Sequence, residues 1–356
     1  MVLAKEVIVI SGCSGRTGTR VAHKFADPRF LVVGLDIAPP KVSTTNFEFM
    51  SCDIASAVQV ASCLQRIQEK YGSRIASIVH LASYVSLEPN RWDDYENVIV
   101  KGTQNLLQAV SGFEVEQFLF VSSVLVYRPC EPGQKITEHW PLGPTWDFPK
   151  AKLIAEDILR ARHGKIPLVI LRRAGTYDDL CHNMPLAMQI QRIYERQSAS
   201  IFFPGNVNSG HATVHLDDLA DAIWLTVQRR FGLGSETTMI VAEPEMVRYN
   251  ELQKVIGLLC YGEECKTWPI PKWVAKFAIR ASLKLPFLPQ LDVKEWMIDQ
   301  ADTNYSCDVN YIQEKLGWAP RHTFRQTLPK MIAALKENTL AWYRENKLKL
   351  PETRNS

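Results

Sequence analysis

Charge of one sign is scarce in this 356-residue chain: 41 Lys and Arg stand against 38 Asp and Glu, a formal net charge of +3. A nucleic-acid footprint needs a clear basic excess or a dense basic patch, so the composition gives no case for a nucleic-acid partner. The eight cysteines, at 13, 52, 63, 130, 181, 260, 265 and 307, include no CxxC pair. The short ligand spacing of zinc sites is missing from them and from His139, His163, His182 and His215, so no metal is expected. A signal-peptide h-region is also lacking ahead of the first apolar run. The thiols are therefore expected as small buried groups, free of disulfides, in a cytoplasmic protein. No stretch approaches the ~18 consecutive apolar residues of a membrane span. Internal repeats and low-complexity tracts are absent as well.

What is present is ordinary globular material, 46% hydrophobic and 22% charged, in a strongly periodic first half. Apolar runs that read as buried strands fall at 6–11, 30–36, 47–50, 75–80, 117–122 and 166–172. Helical patterns lie between them near 16–26, 55–71, 91–111 and 150–163. Uninterrupted apolar strands separated by amphipathic helices predict a doubly wound parallel sheet, which binds ligands at the carboxyl ends of its strands. The alternation fails after about residue 178. The expected organisation is an α/β Rossmann domain over 1–177, with 213–243 returning to it. A smaller, mostly helical substrate lobe follows over 178–212 and 244–330, with a C-terminal helix and tail over 331–356. A single amphipathic helix is read over 324–346.

Directly after the first strand comes Gly12-Cys13-Ser14-Gly15-Arg16-Thr17-Gly18. Glycines there permit a tight turn and a close approach of backbone N–H groups to a pyrophosphate, which the helix N-terminus also attracts. Alone this pattern is weak, but here it stands between a strand and a helix, and Asp36 ends the next strand. That is near the ~20-residue spacing of a carboxylate that binds an adenosine ribose diol. A 2′-phosphate beside Asp36 would be repelled by roughly 1–4 kcal/mol at intermediate dielectric. The expected cofactor is NAD.

These residues resemble the extended short-chain dehydrogenase/reductases, the NAD-dependent epimerase/dehydratase family, from the first strand to about residue 220. Cys52-Asp53-Ile54 resembles the family's adenine-contacting segment, and His80-Leu81-Ala82-Ser83 its loop beside the cofactor. Asn97 with Gly102-Thr103-Gln104-Asn105-Leu106-Leu107 is similar to its NxxGTxNLL helix, and Val214-His215-Leu216-Asp217-Asp218-Leu219-Ala220 to its hVxDlA segment. The resemblance implies a Rossmann fold, hydride transfer on a small-molecule substrate, and a homodimer formed through helices like 91–111 and 150–163. It puts Ser123 of Val121-Ser122-Ser123 in the role of the serine that holds the reacting oxygen. Lys152 of Ala151-Lys152-Leu153-Ile154-Ala155-Glu156 takes the role of the ribose-binding lysine.

The family's catalytic tyrosine belongs four residues before that lysine, where this chain has Phe148. Phenylalanine carries no exchangeable proton, and loss of a general acid/base costs ~10²–10⁴ in rate. Three readings stand open. Tyr84 or Ser123 takes over the proton, the chemistry needs less proton transfer, or the chain binds NAD without turnover as a sensor. Two marks of nucleotide-sugar recognition in the family also differ: Gly175 stands where an Asn is usual, and His211 where an Arg is usual. The segment from Trp268 to Leu291 is apolar, with Lys272, Lys276, Arg280 and Lys284 recurring every four residues. It resembles an insert of the sterol-dehydrogenase branch, which would imply a membrane-surface contact and a lipid-directed reaction. The plainer reading is a substrate-lobe helix with a solvated basic face.

Overall fold

Seven of the β-branched and aromatic runs form one sheet in the computed structural model, which describes residues 5–41, 44–86, 88, 91–284 and 293–350. The strands are β1 (Glu6–Ser11), β2 (Phe30–Asp36), β3 (Phe47–Ser51), β4 (Ser77–His80), β5 (Phe118–Ser123), β6 (Leu168–Arg173) and β7 (Glu236–Val241). Their order is β7-β6-β5-β4-β1-β2-β3, and every pairing is parallel. The order reverses beside β1, between β2 on one side and β4 on the other. A doubly wound sheet opens its ligand crevice there, at the carboxyl ends.

Parallel strands require crossovers, and these cover both faces. The helices of the first half are α1 (Arg16–Lys24), α2 (Ala57–Tyr71), α3 (Gly102–Ala109) and α4 (Asp147–Arg162). The second half adds α5 (Met184–Tyr194), α6 (Leu216–Gln228), α7 (Tyr249–Tyr261), α8 (Lys272–Lys284), α9 (Glu295–Gln300), α10 (Asn310–Leu316), α11 (Phe324–Glu337) and α12 (Thr339–Glu345). On one face Ile8, Ile10, Leu119, Val121 and Leu171 pack with α1, α6 and α10. On the other, Val7, Val9, Phe118, Phe120 and Ile170 pack with α2, α3 and α4. Burial on both sides is why these strands read as unbroken apolar runs. Beyond the sheet, α5, α7, α11 and α12 share a core that includes Ile190, Ile256, Met331 and Trp342.

Three expectations need correction. The stretch 91–111 is not one regular helix: a turn at Trp92–Tyr95 runs through a π-helical segment, Glu96–Lys101, into α3. Thr103 Oγ1 donates to the Ile99 carbonyl at 2.6 Å at that junction, the kind of back-bond that disturbs a helix. The stretch 324–346 is two helices, because Asn338 leaves helical geometry (φ −146°, ψ 83°) and its Oδ1 accepts from Ala341 N to cap α12. Finally, the basic row of α8 does not face solvent freely. Lys272 pairs with Asp302, Lys276 with Asp299 and Arg280 with Glu295, while Trp273 and Phe277 are 73% and 70% exposed. The acidic residues on and around α9 pair with the row, whose Arg280 stays exposed, and the aromatic rings of Trp273 and Phe277 are exposed as well. Leu285, Phe287 and Leu288, with the side chains of Leu283 and Lys284, lie outside the described residues.

None of the eight cysteines is paired; seven are buried and Cys265 is half-buried. Among the described residues no helix is long and apolar enough to cross a membrane.

One buried carboxylate fastens α4 to the sheet. Glu156 is fully buried and accepts from Ser122 Oγ of β5 at 2.5 Å, from Arg172 Nε and Nη2 of β6 at 3.1 and 2.5 Å, and from Arg160 Nη1 at 3.0 Å. Removing one partner of such a buried pair leaves the other charge uncompensated, at about 3–5 kcal/mol. Glu156→Ala is therefore expected to lower the unfolding free energy by about that amount in urea titrations. A loss under about 1 kcal/mol would contradict this account of α4.

Candidate active site

The glycine loop occupies the carboxyl end of β1, and its three glycines are required for different reasons. Gly12 has φ +76°, and a Cβ on it would lie 2.7 Å from Ala82 N. A Cβ on Gly18 would lie 2.1 Å from the Gly12 carbonyl oxygen, so α1 packs directly on the turn. Gly15 is unlike both. It starts α1 with φ −68°, is exposed, and a Cβ there would come no closer than 3.4 Å to the Gly12 oxygen. Packing within the protein does not demand glycine at 15. A pyrophosphate seated against the first turn of α1 does, so the loop fits the cofactor.

Asp36 closes this cradle from β2. Its Oδ2 accepts from Ser14 N at 2.9 Å and its Oδ1 from Ile37 N at 2.7 Å. Each oxygen keeps a further lone pair for a ribose diol. The Arg16 guanidinium turns away to the Glu345 carbonyl at 2.7 Å, which leaves the backbone of Arg16 and Thr17 as their contribution to the first turn. Asp53 Oδ1 accepts from Ala55 N at 2.9 Å in a local turn, and Ile54 is buried. Asn105 of α3 holds the Ile54 and Ala55 carbonyls, each at 3.1 Å.

A buried hydrogen-bond chain fixes the loop 81–83 behind Gly12. His80 Nδ1 lies 2.6 Å from Ser11 Oγ, and His80 Nε2 lies 2.9 Å from Thr103 Oγ1. Burial, followed by the charge of Lys152, pushes the imidazole down to about 3, so it is neutral and one ring nitrogen must accept. Thr103 gives its proton to Ile99, so Nε2–H donates to Thr103 and Nδ1 accepts from Ser11. Leu81 N donates to the Ser11 carbonyl at 3.1 Å, and Ala82 N reaches Ser11 Oγ at 3.4 Å. Ser83 is exposed and Tyr84 half-buried at the outer end of this loop.

Ser123, the last residue of β5, is buried, and its Oγ accepts from Leu125 N at 3.2 Å, which leaves the hydroxyl proton to donate. Lys152 is buried on α4, with Nζ donating to the Val121 carbonyl at 2.9 Å and lying 4.7 Å from the Phe120 ring centre. Burial, then the charge of Arg173, lowers this ammonium to about 7, partly offset by Glu156. Phe148 is buried one turn earlier on α4, with ring contacts to Trp146 at 5.5 Å and Tyr95 at 6.3 Å. Tyr84 meets Tyr95 edge-on at 5.5 Å, and Trp146 stacks on Trp296 at 5.2 Å. Phe148 thus belongs to an aromatic wall, and Tyr84 stands on that wall two rings away.

Two arrangements escape sequence reading. The charge of Arg173, beside Arg172 at the end of β6, acts on Lys152; the only signal for it in the sequence is the double arginine itself. His215, Asp217 and His322 bring ligand-type atoms within 4.8 Å of one another, although His322 is far away in the chain. The two imidazoles are stacked, with ring centres 4.0 Å apart and 19° between planes, so their in-plane lone pairs run side by side instead of converging. His322 Nδ1 is taken by Asp218 at 3.0 Å. His211 Nε2 pairs with Thr303 Oγ1 at 2.9 Å on the outer surface. At Gly175 a Cβ would lie 3.5 Å from Asn183 Nδ2, an amide committed to the Thr176 carbonyl.

Over residues 8–241 the chain matches the model of the NAD dependent epimerase/dehydratase family. It is 25% identical over 346 residues to the uncharacterized protein y4nG of Sinorhizobium fredii, covering 97% of this chain and 80% of that one. With the dTDP-D-glucose 4,6-dehydratase of Bos taurus it shares 22% over 365 residues, 96% of this chain and 90% of the relative. Its fold is similar to that of the dTDP-glucose 4,6-dehydratase DesIV from Streptomyces venezuelae, solved with NAD bound. The TM-score is 0.72 at 19% identity, over 95% of this chain and 99% of that one.

Two outcomes are expected from this geometry. Gly15→Ala should weaken NAD binding about tenfold or more, a change of ~1.4 kcal/mol, with little effect on the unliganded fold, whereas Gly18→Ala should damage both. Equal effects of the two substitutions would contradict the distinction. Lys152 has a folded pKa near 7 against an ordinary 10.5. Between those values the unfolded state holds the proton and the folded state does not, so stability rises with pH across that window. Urea midpoints of the unliganded protein should show a rise from pH 7 to 10 that Lys152→Met flattens.

Proposed function

Because the chain belongs to the NAD-dependent epimerase/dehydratase family, we propose that it transfers hydride between bound NAD and a hydroxyl- or carbonyl-bearing carbon of a small substrate, at the carboxyl ends of β4, β5 and β6. Lys152 and Ser123 carry this reading: two separate segments bring an amine and a hydroxyl to one edge of the sheet, beside a cradle kept open at Gly15. NAD, when bound, supplies the hydride acceptor or donor at its nicotinamide.

Ser123 holds the substrate oxygen with the proton that its hydroxyl does not spend locally. Lys152 spends one N–H on Val121 and has others for the ribose hydroxyls. With its ammonium lowered to about 7, it also exchanges a proton readily near neutral pH. Phe148 fills the usual tyrosine position with a ring that excludes water and moves no proton, which leaves Ser123 and Tyr84 as the hydroxyls available to the reacting oxygen. The segments 178–212 and 244–330 form the lobe that receives the substrate, and a homodimer through α3 and α4 follows the family pattern.

Phe148 favours a second reading, in which NAD is bound without turnover and its presence is signalled to a partner. The decisive experiment incubates NAD-loaded protein with a metabolite extract and follows its components by mass spectrometry, with Lys152→Ala as control. A species consumed by the parent and spared by the variant is the expected result. Phe148→Tyr is expected to raise that turnover by about 10²-fold or more, the low end of general acid/base effects. No consumption in any extract and no activity in Phe148→Tyr, with NAD binding intact, would favour the regulator.

A further inference from the structure

The parallel register of β5 and β6 sets two hydroxyl–guanidinium pairs side by side at the carboxyl edge: Ser122 opposite Arg172, and Ser123 opposite Arg173. Successive side chains point to opposite faces of a sheet. The first pair faces α4 and is bridged by a carboxylate, since Glu156 accepts from Ser122 Oγ and from two nitrogens of Arg172. The second pair starts from the opposite face. Arg173 is half-buried, and among the described residues its guanidinium makes one hydrogen bond, from Nη1 to the Ala174 carbonyl at 3.0 Å. Among the described residues no carboxylate lies in salt-bridge contact with it. Its charge is felt at Lys152, and burial pulls the guanidinium itself down to about 10.

A second cation beside Lys152 is costly to hold in a partly desolvated edge without a counter-charge. The cofactor's pyrophosphate is not that counter-charge. It belongs to the glycine loop on β1, and β4 and β5 intervene before β6, a separation of about 14 Å at ~4.8 Å per strand. Resting on the hydride-transfer reading above, we infer that Arg173 is the anchor for an anionic substrate, holding a carboxylate close to the carbon whose oxygen Ser123 holds. The arrangement repeats Glu156 with Ser122 and Arg172 one residue further on, with the substrate's carboxylate in place of the protein's. Arginine suits this role, because its planar fork matches both oxygens of a carboxylate.

The test titrates NAD-loaded protein by calorimetry with two matched pairs that differ at one carbon, glucuronate against glucose and glycerate against glycerol. The carboxylate member of at least one pair should bind about tenfold or more tightly than its neutral mate, as a charge-assisted contact of ~1.5–3 kcal/mol implies. That preference should persist in Arg173→Lys and vanish in Arg173→Gln, with NAD affinity unchanged in both. The inference is overturned by no carboxylate preference in either pair, by a preference that survives Arg173→Gln, or by a loss of NAD affinity in Arg173→Gln that would assign the guanidinium to the cofactor. These outcomes are independent of turnover: a carboxylate preference without consumption of any metabolite would retain the anion site and remove the hydride-transfer reading.

Discussion

The arrangement of this site depends on Glu156. Its carboxylate is out of water, so it must be matched by hydrogen bonds and opposite charge, and the match comes from β5, β6 and its own helix at once. Helical spacing does the rest: Phe148, Lys152 and Glu156 stand four residues apart and share the buried face of α4. Fixing Glu156 against Ser122 and Arg172 therefore fixes where Lys152 meets the end of β5, and where Phe148 meets the aromatic wall. The same register that serves Glu156 on one face of the sheet aligns Ser123 with Arg173 on the other. A polar contact in the core thus sets the geometry of the working edge.

The cofactor cradle rests on a separate piece of buried polarity. His80 is neutral because its surroundings and the nearby Lys152 both oppose a charge. Neutrality makes the ring directional, with one nitrogen accepting from Ser11 and the other donating to Thr103. The chain from Ser11 through His80 to Ile99 ties β1, β4 and the start of α3 together under the loop that Gly12 touches. Lys152 enters this balance as a charge, and Arg173 enters the balance of Lys152. The ionisation of the edge is consequently a property of the group as a whole.

Phe148 is buried and fills its place on α4 with a packed ring. The ring packs between Trp146 and Tyr95, and Tyr84 and Trp296 extend the same wall. Phe148 and Lys152 are both buried on α4, so the aromatic wall and the amine stand one helical turn apart. At the end of β5 the hydroxyl of Ser123 is a small neutral donor.

By itself the sequence determined the parallel strands of the sheet and the cofactor. Apolar runs buried on both faces announce parallel strands. The loop from Gly12 to Gly18 and the carboxylate of Asp36 are local in the chain, so spacing alone reveals them. Ser123, Lys152 and Phe148 could be named as candidates through short motifs for the same reason. Tertiary structure alone decided which charges are neutralised. The row Lys272, Lys276 and Arg280 looks solvated in one dimension and is ion-paired to Asp302, Asp299 and Glu295 in three. Arg172 and Arg173 are indistinguishable neighbours in the sequence, yet strand alternation sends one to Glu156 and the other to the open edge. Periodicity records which face a residue takes, whereas the partner it meets there is set by strand register and helix docking, which no local pattern encodes.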